Sequence, residues 1–173
     1  MESKEWQQTV KDQTFIISTA PTLPHAFIQQ AFSTSAMYWA KPVSSEHVQK
    51  LVDNSCTLGL YCLENTNDGK HQRTPIGMAR MVTDYVTLAY LTDVYVQDEY
   101  QGLGLGKWMV RCCRAIAVDM PELRFMILLT GSEQAQNLYR RELGMKVMGS
   151  EEKLTAMGAR RASLEEAAAS PPS

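Results

Sequence analysis

The run Leu88-Ala89-Tyr90-Leu91-Thr92-Asp93-Val94-Tyr95-Val96, followed by Gln97-Asp98-Glu99-Tyr100-Gln101-Gly102-Leu103-Gly104-Leu105-Gly106-Lys107-Trp108, decides how this chain folds. The first part is aliphatic, aromatic and β-branched, as a strand requires. The second part is glycine-rich, and from Lys107 the apolar period becomes that of a helix: Met109, Cys112, Cys113, Ile116, Ala117 and Met120 share one stripe. A strand therefore passes through glycines directly into a helix. Glycines in such a loop permit backbone conformations that a Cβ forbids, aim successive N–H groups at one point, and let a ligand come close. The helix that follows adds the positive end of its dipole, so the loop is built to hold an anion. Two phosphate loops do not fit. A nucleotide P-loop needs glycine at 101 and a hydroxyl at 108, where Gln101 and Trp108 stand. A dinucleotide loop needs glycine at 107 or 109, where Lys107 and Met109 stand.

Outward from this centre the chain alternates strands and helices. Residues 14–18 read as a first strand and 24–35 as a helix with Phe27, Ile28, Ala31 and Phe32 inward. Ser44 or Ser45 caps a second helix. Strands follow at 57–63, 76–83 and Leu88–Val96, with residues 65–75 as a hairpin loop and Asp84-Tyr85 as the next turn. Pro121 stops the central helix. Residues 125–130 are continuously apolar, as in a strand buried on both faces. Glu133–Leu143 is a helix with Ala135, Leu138, Tyr139 and Leu143 inward, and Gly144 ends it. Segments 145–148 and 153–157 read as a short hairpin. The domain is expected over 13–157, between a polar N-terminal segment (1–12) and a solvated tail (158–173). The class is α/β, a mixed central sheet of six or seven strands with about four helices.

Composition narrows the partners. The net charge is −2, which argues against a nucleic-acid binder. No apolar run reaches the length of a membrane span, and residues 1–11 lack a secretory signal, so no membrane partner is expected. Cys56, Cys62, Cys112 and Cys113 have no metal-ligand spacing and read as reduced, buried thiols of a cytoplasmic protein, with no metal.

Gln101, Gly104 and Gly106 match the pyrophosphate loop of the GNAT acetyltransferases, (Gln/Arg)-x-x-Gly-x-(Gly/Ala), and the stretch from Asp93 to Trp108 resembles motif A of that superfamily. Ala135, Leu138 and Tyr139 with Leu143-Gly144-Met145 resemble its motif B. Tyr38-Trp39-Ala40, Gly77-Met78-Ala79-Arg80 and Val82-Thr83-Asp84 are similar to a subfamily of small stand-alone members, and the likeness covers about residues 13–148. Two departures stand out. Tyr139 lies five residues before Gly144, where the family usually has four, and the segment before it is about two residues longer than in that subfamily.

The resemblance implies the GNAT fold and acetyl-CoA as co-substrate. Main-chain groups of Val94, Tyr95 and Val96 would pair with the pantetheine arm. The amides of Gln101, Gly102, Leu103, Gly104, Leu105, Gly106 and Lys107 would hold the pyrophosphate, with Arg111 in reach of phosphates. The acceptor would be a primary amine of a small molecule, and a homodimer is open to it. Tyr139 would protonate the leaving thiolate. Asp93, the one acid in its strand, is expected to be buried and partnered; it is read as a base, as a substrate anchor or as a structural group. A period of two places it with Leu91 and Tyr95, opposite Thr92 and Val94. Some relatives carry a glutamate base where Thr92 stands. Tyr38, Trp39, Asp84, Tyr85 and Tyr90 are the candidates for acceptor binding, since aromatics and carboxylates suit a cationic amine. The alternatives are a non-catalytic acyl-CoA sensor and an acetyltransferase of protein N-termini or lysines.

Overall fold

The computed structural model describes residues 2–65, 71–148 and Ala159. Six strands form one sheet in sequence order: β1 (Glu5–Val10), β2 (Gln13–Ser18), β3 (Cys56–Asn65), β4 (His71–Thr83), β5 (Leu88–Val96) and β6 (Phe125–Leu128). The first five are antiparallel neighbours, and β6 joins β5 in parallel, which requires the crossover helix between them. Among the described residues, four α-helices accompany the sheet: α1 (His25–Phe32), α2 (Ser45–Asp53), α3 (Leu105–Val118) and α4 (Glu133–Leu143). This is the mixed α/β architecture that the alternating pattern predicts.

Each face of the sheet has its own core. Leu58, Leu60, Met81, Ala89 and Leu91 pack with Leu105, Met109, Cys113 and Ile116 of α3. Ile16, Tyr61 and Met78 pack on the opposite face with Phe27, Ile28 and Phe32 of α1 and Val48 of α2. Burying each Leu, Ile, Val, Phe or Met among these fully contributes about 1.5–3 kcal/mol. Ser44 caps α2 by accepting from the His47 N–H at 3.3 Å.

Several expectations are corrected. Residues assigned to a polar N-terminal segment form β1, joined to β2 by Lys11 and Asp12, both at positive φ, the backbone of a two-residue hairpin turn. The 65–75 loop is shorter than expected because β4 already begins at His71. The helix begins at Leu105 rather than Lys107. Strand β6 ends at Leu128 and is half-exposed rather than buried on both faces, since among the described residues it is the terminal strand of the sheet. Residues 144–173 form a separate unit. In it Gly144 takes φ 67° just past α4, as a helix-ending glycine should, and 145–148 hold no strand. The proposed partner strand at 153–157 lies outside the described residues.

Candidate active site

The loop after β5 leaves a continuous row of donors. A short 3-10 turn (Asp98–Tyr100) leads to Gln101, whose amide Nε2 donates to Val96 O at 3.3 Å and to Asp98 Oδ1 at 2.7 Å, clasping the loop's entrance. Gly102 and Gly104 then each take φ +78°, and a Cβ at either would meet no atom within 4 Å. Their handedness is needed by the turn, and the space above them is open. The first helical bond here runs from Trp108 N to Gly104 O, at 3.1 Å. Among the described residues, the N–H groups of Gly102, Leu103, Gly104, Leu105, Gly106 and Lys107 accordingly find no acceptor. Gly106 faces β5, where a Cβ would stand 4.0 Å from Val96 Cγ2.

Strand β5 is open on one edge beside this loop. Its pairing with β6 runs only from Leu88 to Leu91, whereas its other edge stays paired with β4 as far as Val96. Among the described residues, main-chain groups of residues 92–96 on the β6 side therefore have no strand partner. The opening coincides with a bulge opposite β4, in which Asp93 takes φ 52°. The bulge reverses the side-chain alternation. Leu91, Val94 and Val96 pack on the α3 face, whereas Tyr95 packs with Phe27 on the α1 face, their rings 6.3 Å apart. The expected grouping of Asp93 with Leu91 and opposite Thr92 is thereby overturned, because one inserted residue flips every side chain beyond it, whereas Asp93 keeps its place with Tyr95, opposite Val94.

Asp93 is buried and its carboxylate is fully engaged. Oδ2 accepts from Arg80 Nε at 2.7 Å and lies 2.7 Å from Arg80 Nη2. Oδ1 accepts from Trp39 Nε1 at 3.3 Å and from Thr92 Oγ1 at 3.1 Å. Trp39 is half-exposed and meets Tyr38 edge to face at 5.1 Å. A Cβ at Gly131, just beyond β6, would lie 3.2 Å from the Tyr38 hydroxyl. Tyr38, Trp39, Asp93 and the opened edge of β5 are thus brought together. Arg80 had no assigned role in the sequence reading. Its signal is the lone cation of the apolar stretch 76–83 and the lone acid of the next strand.

Asp84, Tyr85 and Tyr90 are placed differently. Asp84 Oδ1 accepts from the N–H groups of Val86, Thr87 and Leu88 at 2.9, 2.8 and 3.1 Å, and its Oδ2 from Thr87 Oγ1 at 2.6 Å. These bonds hold its carboxyl well below the usual range, and they shape the β4–β5 turn. Tyr85, at φ 59°, lies beside Cys56 in a small hollow with Thr19, Leu23 and Val52. Both sit at the end of β5 remote from the glycine loop. Tyr90 is half-buried near the start of β5, where it pairs with Ile127 of β6.

Tyr139 projects from α4 against the α3 core, and burial, aided by the Cys113 thiol, raises its hydroxyl above the ordinary value. That hydroxyl makes no hydrogen bond among the described residues, yet it is not sealed from solvent. The helix is pinned by Glu142: Arg111 Nε donates to its Oε2 at 2.7 Å and Arg114 Nη1 to its main-chain oxygen at 2.7 Å. Arg111, which the resemblance puts in reach of phosphates, is therefore engaged with α4.

Comparison with known proteins agrees with this geometry. The model of the acetyltransferase (GNAT) family matches residues 26–145. A candidate acetyltransferase of Gibberella zeae, FG08082, is 32% identical over 142 residues, which cover 76% of this chain and 79% of that protein. The crystal structure of a candidate GNAT acetyltransferase from Xanthomonas campestris pv. campestris superposes with a TM-score of 0.64 at 29% identity, covering 84% of this chain and 93% of that one. Arabidopsis thaliana NAA60, solved with a bisubstrate analogue, shares the fold with a TM-score of 0.52 at 15% identity, covering 80% and 83%.

Proposed function

The chain belongs to the acetyltransferase (GNAT) family and is an acyltransferase, and from that premise we propose that it moves an acetyl group from acetyl-CoA to a primary amine of a small molecule, by direct attack in a ternary complex. The observation that carries the reading is the row of six N–H groups from Gly102 to Lys107 at the start of α3, unpaired among the described residues. Such a row, with open space above two left-handed glycines, suits a pyrophosphate. The free edge at Val94, Tyr95 and Val96 suits an extended amide-bearing arm laid alongside it. The two features are contiguous, as one long ligand requires.

Acetyl-CoA, when bound, supplies an already activated acyl group, so the protein needs no covalent nucleophile. Its own task is positioning and proton management. The Tyr139 hydroxyl, raised in pKa and without a hydrogen bond among the described residues, holds a proton that can go to the departing thiolate. Tyr38 and Trp39 form the wall on the acceptor side, with Tyr90 on β5. The four buried thiols fit a reducing compartment such as the cytoplasm.

The test is release of free thiol from acetyl-CoA across a panel of polyamines, amino acids, amino sugars and aromatic amines. Saturable release with one class supports the reading. Silence across the panel from protein that binds acetyl-CoA tightly removes the small-amine acceptor.

A further inference from the structure

We propose that Asp93 is a positioning residue: its carboxylate fixes the Trp39 indole and the Arg80 guanidinium beside the opened edge of β5, and it takes no proton from the acceptor. The inference rests on the acetyl-transfer reading above. An ionised carboxylate has about four lone-pair sites. Here each oxygen has two donor atoms within 3.3 Å, two guanidinium nitrogens on one and an indole and a hydroxyl on the other. A base must offer a lone pair within reach of the proton it removes, and Asp93 has none to spare. Freeing a lone pair held by Arg80 or Trp39 would strand that donor where the Arg80 and Asp93 side chains are only 16% and 6% exposed, and the one remaining partner is the hydroxyl of the neighbouring Thr92.

The backbone supports the same role. A non-glycine residue at φ 52° is held against its preference, and such strain persists where the surroundings over-determine it. What it achieves is direction: the bulge turns the carboxylate to the α1 face, where Trp39 waits, instead of into the α3 core. Trp39 in turn braces Tyr38 edge-on, and Tyr38 reaches Gly131 beyond β6. The aromatic pair thus bridges from the Asp93 bulge to the far side of the opening between β5 and β6. Its fixed placement makes it the surface against which the non-reacting part of the acceptor packs, so the unit governs which amine binds more than how fast it reacts.

The test is steady-state kinetics across pH for Asp93→Asn and Trp39→Phe, with an acetyl-CoA titration of each. Asparagine tolerates left-handed backbone well, so Asp93→Asn changes charge while sparing the bulge. We expect Trp39→Phe to raise KM for the amine about tenfold while kcat falls less than about threefold. Asp93→Asn should likewise act mainly on KM and leave the acid limb of the kcat profile in place, with acetyl-CoA affinity unmoved in both. If Asp93→Asn does not fold, Arg80→Met combined with Asp93→Asn removes both charges and is read the same way. A loss of kcat of about 10² or more together with disappearance of the acid limb would make Asp93 a base and overturn the inference. Wild-type protein that fails to bind acetyl-CoA overturns the acetyl-transfer reading first, and this inference with it.

Discussion

Tyr139 holds a hydroxyl that bonds to nothing among the described residues, on a ring packed against α3. If it delivers the thiolate's proton, Tyr139→Phe lowers kcat by about 10²–10⁴ while acetyl-CoA still binds; unchanged turnover removes it from the mechanism. The pH dependence follows from the direction of its shift. Burial lifts the group above its ordinary 10.0, so it stays protonated, and competent as an acid, past that value. A kcat profile with no alkaline loss from this group below pH 10.0 is expected; a loss abolished by Tyr139→Phe at lower pH would contradict it. Side-chain chemistry was legible in part. That Asp93 must be partnered follows from one acid in an apolar strand, but the partner comes from β4 and a connection far away in sequence. Asp84 looked like a cleft carboxylate because its type suits a cation. Its geometry shows a turn residue whose oxygens are all taken.

The β5–loop–α3 segment was legible almost whole, because each of its requirements is local: branched residues for the strand, left-handed glycines for the turn, a 3.6-residue stripe for the helix. Gly104→Ala tests it. The position is left-handed with open space around it, so the stability loss should be that of the backbone alone, about 1–2 kcal/mol. The loss of acetyl-CoA affinity should exceed that, since the methyl enters the ligand's space. Calorimetric titration beside thermal unfolding separates the two; equal losses would mean that the turn serves only folding. Elements defined by distant pairing were harder to read. In β1, Trp6, Gln8 and Val10 are half-buried while Glu5, Gln7 and Thr9 face solvent, a faint alternation without the glycine or asparagine that usually marks a tight hairpin. The β5 bulge left no sign in residue periodicity at all, since an inserted residue is visible only against its neighbour strand.

Across the molecule, the four free thiols are buried, as their scattered spacing suggested, and they make the fold sensitive to alkali. Burial pushes Cys112 up to about 12 from an ordinary 9.0, and Cys56, Cys62 and Cys113 are raised as well. Between those two values the folded chain keeps protons that the unfolded chain has lost, so stability is whole below 9.0 and falls as pH rises toward 12. Each thiol held this way removes about 1.4 kcal/mol per pH unit within its window. Unfolding midpoints measured from neutral pH upward should decline above 9.0, and Cys112→Ala should decline less steeply; an unchanged slope in that variant would refute the assignment. The mixed sheet with about four helices was readable from the order of elements, whereas the placing of α3 and α4 on one face and α1 and α2 on the other comes from the packing. The acceptor was not, because the residues that would select it come from three separate stretches of chain. The most direct trial of the central claim is a titration of 15N-labelled protein with acetyl-CoA, followed at each backbone amide. The account predicts saturable binding with the largest shifts at Gly102–Lys107 and smaller ones along Val94–Val96; saturation that leaves those amides unmoved, or no binding at millimolar ligand, would contradict it.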